Sequence, residues 1–118
     1  MSIYQEQILD HYKNPRNQGG ILKPDKKTIV HNPLCGDSIT MYIVFDKNKI
    51  KKLTHITTGC VISKASASLL CEYSTKKTKE QLRKLDKGFI IDMLGIKLGP
   101  NRVKCALLAL EALQKLLI

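Results

Sequence analysis

The sequence predicts an α+β domain in which a small antiparallel β-sheet is packed by helices. Two observations carry that prediction. Apolar residues alternate with a period of two only in the middle of the chain, around Ser38–Thr57, whereas the flanking segments carry apolar residues at helical spacing. The order helix, sheet, helices separates the two kinds of element instead of interleaving them, which is the α+β pattern. At 118 residues the chain has the size of one compact domain, and residues 1–118 are expected to form it without an internal boundary.

Ser2 followed by Gln5 is a capping-box start, and Tyr4, Ile8 and Tyr12 recur every four residues, so the chain opens with an amphipathic helix of about three turns. Asn14-Pro15 ends it. Arg16–Lys27 contains Gly19, Gly20 and Pro24 with little apolar content and is expected to be a loop or connector. Thr28–His31 begins the β region, with turns at Asn32-Pro33 and Cys35-Gly36-Asp37. Ser38–Phe45 alternates Ile39, Met41, Ile43 and Phe45 against other positions as a half-buried strand, and Lys49–Thr57, with Ile50, Leu53 and Ile56, is its hairpin partner across Asp46-Lys47-Asn48. Val61–Glu72, rich in Ser63, Ala65, Ser66, Ala67 and Ser68, predicts a closely packed helix. Thr78 with Gln81 opens a short helix, and Phe89–Leu94 forms another. After Gly99-Pro100, Asn101 is expected to cap a final helix carrying Val103, Leu107, Leu110, Leu113 and Leu117.

Twenty basic residues, 17 of them lysine, stand against 10 acidic ones, a net charge of +10. The lysines are scattered over Lys23–Lys27, Lys47–Lys52 and Lys76–Lys87, and the aromatics are not interleaved with them as a base-stacking platform requires, so most of this charge is a solvated surface. Met1–Asp10 lacks the basic and apolar regions of a secretory signal. Ala106–Ile118, broken by Glu111, Gln114 and Lys115, falls short of the roughly 20 apolar residues of a membrane span. A cytoplasmic, reducing location is therefore expected, where cysteines serve as thiols, metal ligands or catalytic groups in preference to disulfides.

Cys35 precedes a strand, Cys60 sits at a strand-to-helix junction, and Cys105 lies near the start of the last helix. Element ends can converge at one edge of a small domain, and a helix N-terminus favours thiolate. Asp37, two residues beyond Cys35 across a glycine, can turn its carboxylate to the same point. Three thiolates and a carboxylate suit zinc, and thiolates also suit iron–sulfur clusters. By spacing alone, buried apolar cysteines and an ordinary Gly-Asp turn remain the alternative. Cys71 belongs on an apolar helix face as core. His11, His31 and His55 are expected to be structural, and Glu111 solvent-facing.

Several stretches in order along the chain resemble the iron–sulfur assembly family of IscU, SufU and the N-terminal domain of NifU. They are Ile8-Leu9-Asp10-His11-Tyr12 with Asn14-Pro15-Arg16-Asn17, Asn32-Pro33-Leu34-Cys35-Gly36-Asp37, Thr58-Gly59-Cys60-Val61-Ile62-Ser63-Lys64-Ala65-Ser66-Ala67-Ser68, and Arg102-Val103-Lys104-Cys105-Ala106. The resemblance implies an IscU/SufE-like fold, helices on one side of the sheet and a metal site at one end, where Cys35, Asp37, Cys60 and Cys105 hold zinc or a nascent [2Fe-2S] cluster. It further implies a pyridoxal-phosphate cysteine desulfurase as sulfur donor, Cys35 or Cys105 as persulfide acceptor, Asp37 as the labile ligand, and apo-proteins as cluster acceptors.

Two features split the family types. Lys104 occupies the position before the last cysteine where the IscU type has histidine, as in the SufU type, yet the chain lacks the insertion that the SufU type carries between its second and third cysteines. The peptide that a dedicated Hsp70 grips in IscU, Leu-Pro-Pro-Val-Lys, falls on Leu98-Gly99-Pro100-Asn101-Arg102, with only the leucine and one proline kept, which disfavours chaperone-driven release. The expected function is a cluster assembly scaffold, with a zinc-dependent sulfurtransferase as the alternative. A basic zinc module binding nucleic acid is a distant third, resting on charge alone.

Overall fold

Strands β1 (Lys26–Asn32), β2 (Asp37–Asp46) and β3 (Lys49–Thr58) form a three-stranded antiparallel sheet of order β1-β2-β3. This computed structural model describes residues 2–34 and 36–118. Among the described residues five helices accompany the sheet: α1 (Ile3–Lys13), α2 (Val61–Ser74), α3 (Lys79–Arg83), α4 (Lys87–Leu94) and α5 (Pro100–Leu116).

The central strand follows its alternation. Ile39, Met41 and Ile43 are fully buried and face α2 and α5, while Thr40, Tyr42 and Val44 on the other face are half-exposed. Helices therefore cover one side of the sheet, as expected. The partner strand departs from strict alternation, because Val44 pairs with Lys52 but Phe45 with Ile50, leaving Lys51 as the extra residue of a bulge. That bulge puts Ile50 and Leu53, three apart, on the same buried face. Ile56 lies 44% exposed on the outer face, in register with Thr40 and the 51% exposed Ile29.

The segment between α1 and β1 is tied to the free edge of β3. His55 N–H donates to the Asn17 carbonyl at 3.0 Å, Gly19 N–H donates to the His55 carbonyl at 2.9 Å, and the Asn17 side chain donates to the Leu53 carbonyl at 2.9 Å. A little further along the same edge, Ile50 exchanges backbone bonds with Lys76 and Lys77. Covering the edge in this way removes a row of unpaired peptide groups that would otherwise pair with other chains. β1 begins at Lys26, two residues before the sequence suggests.

The starts of α1, α3 and α4 are capped by side chains, and those of α2 and α5 are not. Ser2–Gln5 and Thr78–Gln81 form reciprocal capping boxes. α4 starts earlier than expected, at Lys87, because the Asp86 side chain accepts the Phe89 N–H. α5 is capped at Gly99 with Pro100 in its first turn, not at Asn101: a proline's missing N–H costs nothing there and its fixed φ suits helix entry. α2 is buried nearly all round, and its small residues let α5 approach until Ser66 Oγ donates to the Ala106 carbonyl at 2.7 Å. No described helix is long and apolar enough to cross a membrane.

Candidate metal centre

Asp37 lies in phase with Ile39, Met41 and Ile43, so the alternation that builds the core also turns its carboxylate toward the helix layer. It is only 3% exposed. The connection before it is a tight turn in which Gly36 takes φ 72°, its N–H donates to the Asn32 carbonyl at 2.9 Å, and the Asn32 side chain accepts the Leu34 N–H at 3.1 Å. Cys35, between Leu34 and Gly36 in the sequence, lies outside the described residues.

Cys60 is the N-cap of α2 and half-buried, so its sulfur sits where unpaired helix N–H groups favour negative charge. Just before it, Gly59 holds φ 148°, and a Cβ there would lie 2.4 Å from Asp37 Oδ1. Only a glycine lets the backbone pass that close to the carboxylate. Cys105 is buried, more than a turn inside α5 and not at its start, so the favourable field of the α5 N-terminus, which fades within the first turn, does not reach it, whereas Cys60 stands at the N-terminus of α2. The Ser66–Ala106 bond fixes the height of Cys105 against α2.

One ligand atom each from Asp37, Cys60 and Cys105 come within 4.8 Å of one another. A tetrahedral ion with bonds of about 2.0–2.3 Å needs ligand separations of roughly 3.3–3.8 Å, so small side-chain rotations would close this set around zinc or iron. Burial by itself would raise the Asp37 carboxyl. Hydrogen bonds from Ser63, Cys105 and Cys60, and from the Cys60 backbone, outweigh burial and hold its pKa below the ordinary carboxylate value. The chemistry of the donor set therefore fits a thiophilic metal: a carboxylate that stays ionised, beside two thiols that lose their protons on binding.

Residues set aside from the site take other places. Cys71 is fully buried in the core, and burial pushes its thiol pKa far up. His55 donates through Nε2 to the Arg16 carbonyl at 3.0 Å and meets the Thr57 hydroxyl at 2.8 Å through Nδ1. His11 Nδ1 meets Ser68 Oγ at 2.7 Å, and the same oxygen accepts the Arg16 N–H at 2.8 Å. The conspicuous His11 and Arg16-Asn17 residues thus lock α1 and its exit to α2 and β3. His31, Lys104 and Glu111 are exposed around a shallow depression beside Asn32. Sequence reasoning missed Ser63 and Gly59 as site residues. Ser63, three places after the N-cap Cys60, was legible only as a small packing residue.

Known proteins place this geometry in context. The chain is 34% identical over 116 residues to the iron–sulfur cluster assembly scaffold protein IscU 1 of Archaeoglobus fulgidus, spanning 98% of this chain and 75% of that protein. It is 33% identical over 131 residues to the zinc-dependent sulfurtransferase SufU of Bacillus subtilis, spanning 97% and 88%. A crystal structure of a candidate SUF-system scaffold protein from Fervidobacterium islandicum AW-1 superposes with a TM-score of 0.83 at 30% identity, covering 100% of this chain and 96% of that one. The family model described as the NifU-like N terminal domain matches residues 3–117. With fold and sequence agreeing from the first helix to the last, the chain belongs to the NifU-like N-terminal domain family.

Proposed function

We propose that this protein is an iron–sulfur cluster assembly scaffold, on which a [2Fe-2S] cluster is built from iron and desulfurase-derived sulfur and then passed to acceptor proteins. The observation that carries the reading is the convergence of Asp37, Cys60 and Cys105 donor atoms, from a strand, a helix cap and a second helix, to within 4.8 Å. Cys35, two residues before Asp37, is the proposed fourth ligand. Relatives named as IscU scaffolds support the assignment, among them the A. fulgidus protein. Cys105 is the proposed sulfur acceptor on this reading, and a cysteine desulfurase the proposed donor. The working location proposed is the cytoplasm, and residues 1–118 are proposed to act as one domain.

A second reading, a zinc-dependent sulfurtransferase with Cys35 as acceptor, is favoured by Lys104 ahead of Cys105 and by the similarity to the B. subtilis protein. Against it, that alignment of 131 positions exceeds the 118 residues of this chain, so the relative carries residues that are absent here. Anaerobic reconstitution with iron, cysteine and a desulfurase separates the two. A thiolate-to-iron charge-transfer spectrum that transfers to an apo-ferredoxin, and is lost in Cys35→Ala, Cys60→Ala and Cys105→Ala, is the expected result. Retained zinc, no cluster and raised desulfurase turnover would establish the sulfurtransferase instead.

A further inference from the structure

The Asp37 carboxylate is gripped from more than one side. Ser63, in the first turn of α2 and fully buried, lies 2.5 Å from Asp37 Oδ2 through its hydroxyl and 3.6 Å from Cys60 Sγ. Oδ1 lies nearest Gly59, whose missing Cβ leaves the space the oxygen occupies. A hydroxyl buried beside an ionised carboxylate is a strong donor to it, since a charge-assisted bond is roughly twice as strong as a neutral one. In the first turn of a helix the serine has no stronger local acceptor to satisfy.

We propose that Ser63 is a positioning residue for metal binding: by holding Oδ2 it fixes the orientation in which Asp37 presents its carboxylate to the metal. The inference rests on the assignment of Asp37 as a ligand. Two consequences follow from the geometry. Rotation of the carboxylate is restricted before the metal arrives, so less freedom is lost on binding. When the metal–oxygen bond opens, Asp37 stays where it can rebind. Partners of this kind, which hold a ligand without touching the metal, typically change metal affinity by about 10- to 100-fold when removed.

The test is a double-mutant cycle read with cobalt(II), whose visible bands report ligand number and geometry directly. Ser63→Ala is expected to weaken cobalt(II) binding by about 10-fold, to alter the ligand-field bands while keeping the thiolate charge-transfer bands, and to leave the far-ultraviolet circular dichroism unchanged. Ser63→Thr, which keeps the hydroxyl, is expected to restore the affinity and the bands. In an Asp37→Ala background the same Ser63→Ala change is expected to have no further effect. An equal loss in both backgrounds, or no loss in either, would overturn the positioning role. Asp37→Ala that leaves cobalt(II) affinity and spectrum unaltered would instead overturn the ligand assignment itself, a different failure.

Discussion

In the proposed ligand set Asp37 is the hard donor among soft ones, and softness governs how long each bond to a thiophilic metal lasts. Thiolates from Cys60 and Cys105 should hold a cluster while the carboxylate corner opens and closes. Asp37→Ala is expected to lengthen the lifetime of an assembled cluster and slow its transfer to an apo-ferredoxin several-fold, measured by the decay of the cluster's visible absorbance. An unchanged transfer rate would remove Asp37 from that role. This outcome is compatible with weaker binding of a lone cobalt(II) ion by the same variant: one quantity is the rate at which a cluster leaves, the other the equilibrium affinity of a single ion. Gly59 belongs to the same group of residues. Gly59→Ala would place a methyl 2.4 Å from Asp37 Oδ1, and is expected to lower cobalt(II) affinity at least as much as Ser63→Ala while the far-ultraviolet circular dichroism stays that of a folded chain.

At the scale of elements, α1 is fastened at both ends. Its C-terminal end is held through His11 and Arg16 to Ser68 of α2. Near its N-terminal end, Tyr4 lies against Gly95, the residue that closes α4 in a left-handed conformation with φ 68°. A Cβ at Gly95 would sit 2.2 Å from the Tyr4 ring and would also strain the backbone. Gly95→Ala is therefore expected to destabilise the protein by more than about 1 kcal/mol in denaturant unfolding, with amide exchange rising first in α1. In a Tyr4→Ala background the steric part disappears and only the backbone part, about 1 kcal/mol, is expected to remain. Equal costs in both backgrounds would mean that the ring does not hold α1 there.

Across the whole molecule, two buried histidines link stability to pH. Burial lowers the pKa of His55, against a raising contribution from its bond to the Arg16 carbonyl. Burial, and then the Arg16 charge, lower that of His11, with Glu72 and Asp10 opposing. Both start from an ordinary value of 6.5, so the unfolded chain binds protons in a range where the folded one does not. Stability contributed by keeping these rings neutral is fully present above the unfolded value of about 6.5 and is lost as pH falls from there through the lower folded values. Urea midpoints of the metal-free protein should thus drop between pH 7.5 and pH 5.5, a drop that a His11→Gln, His55→Gln double variant should largely remove. The lowered carboxyls of Asp10, Asp37 and Glu80 act in the same direction, losing stability as pH falls, but only from about pH 4.5 downward, outside this window. A pH-independent midpoint in the unaltered protein would show that the rings are not held neutral.

Much of this was legible in the amino-acid order, because it depends on local chemistry. The capping boxes at Ser2 and Thr78, the alternation of Ile39, Met41 and Ile43, the small-residue run of α2 and the core place of Cys71 are all decided by neighbours a few residues apart. The candidacy of Asp37, Cys60 and Cys105 came from residue type and from their places at or near element ends. Other features depended on contacts between distant segments. The bulge at Lys51 that turns Ile56 outward is set by strand register, and the covered edge of β3 by a segment more than 30 residues upstream that looked like a connector. The clasp of Ser63 and Gly59 on Asp37 joins a strand to a helix start across 26 positions of sequence. The sequence by itself determined which residues have the chemistry to bind a metal and which segments fold as helix or strand, since propensity and side-chain type are local. Only the tertiary structure decided how those donors are aimed and restrained, because that follows from close packing between segments whose separation along the chain carries no trace of their distance in space.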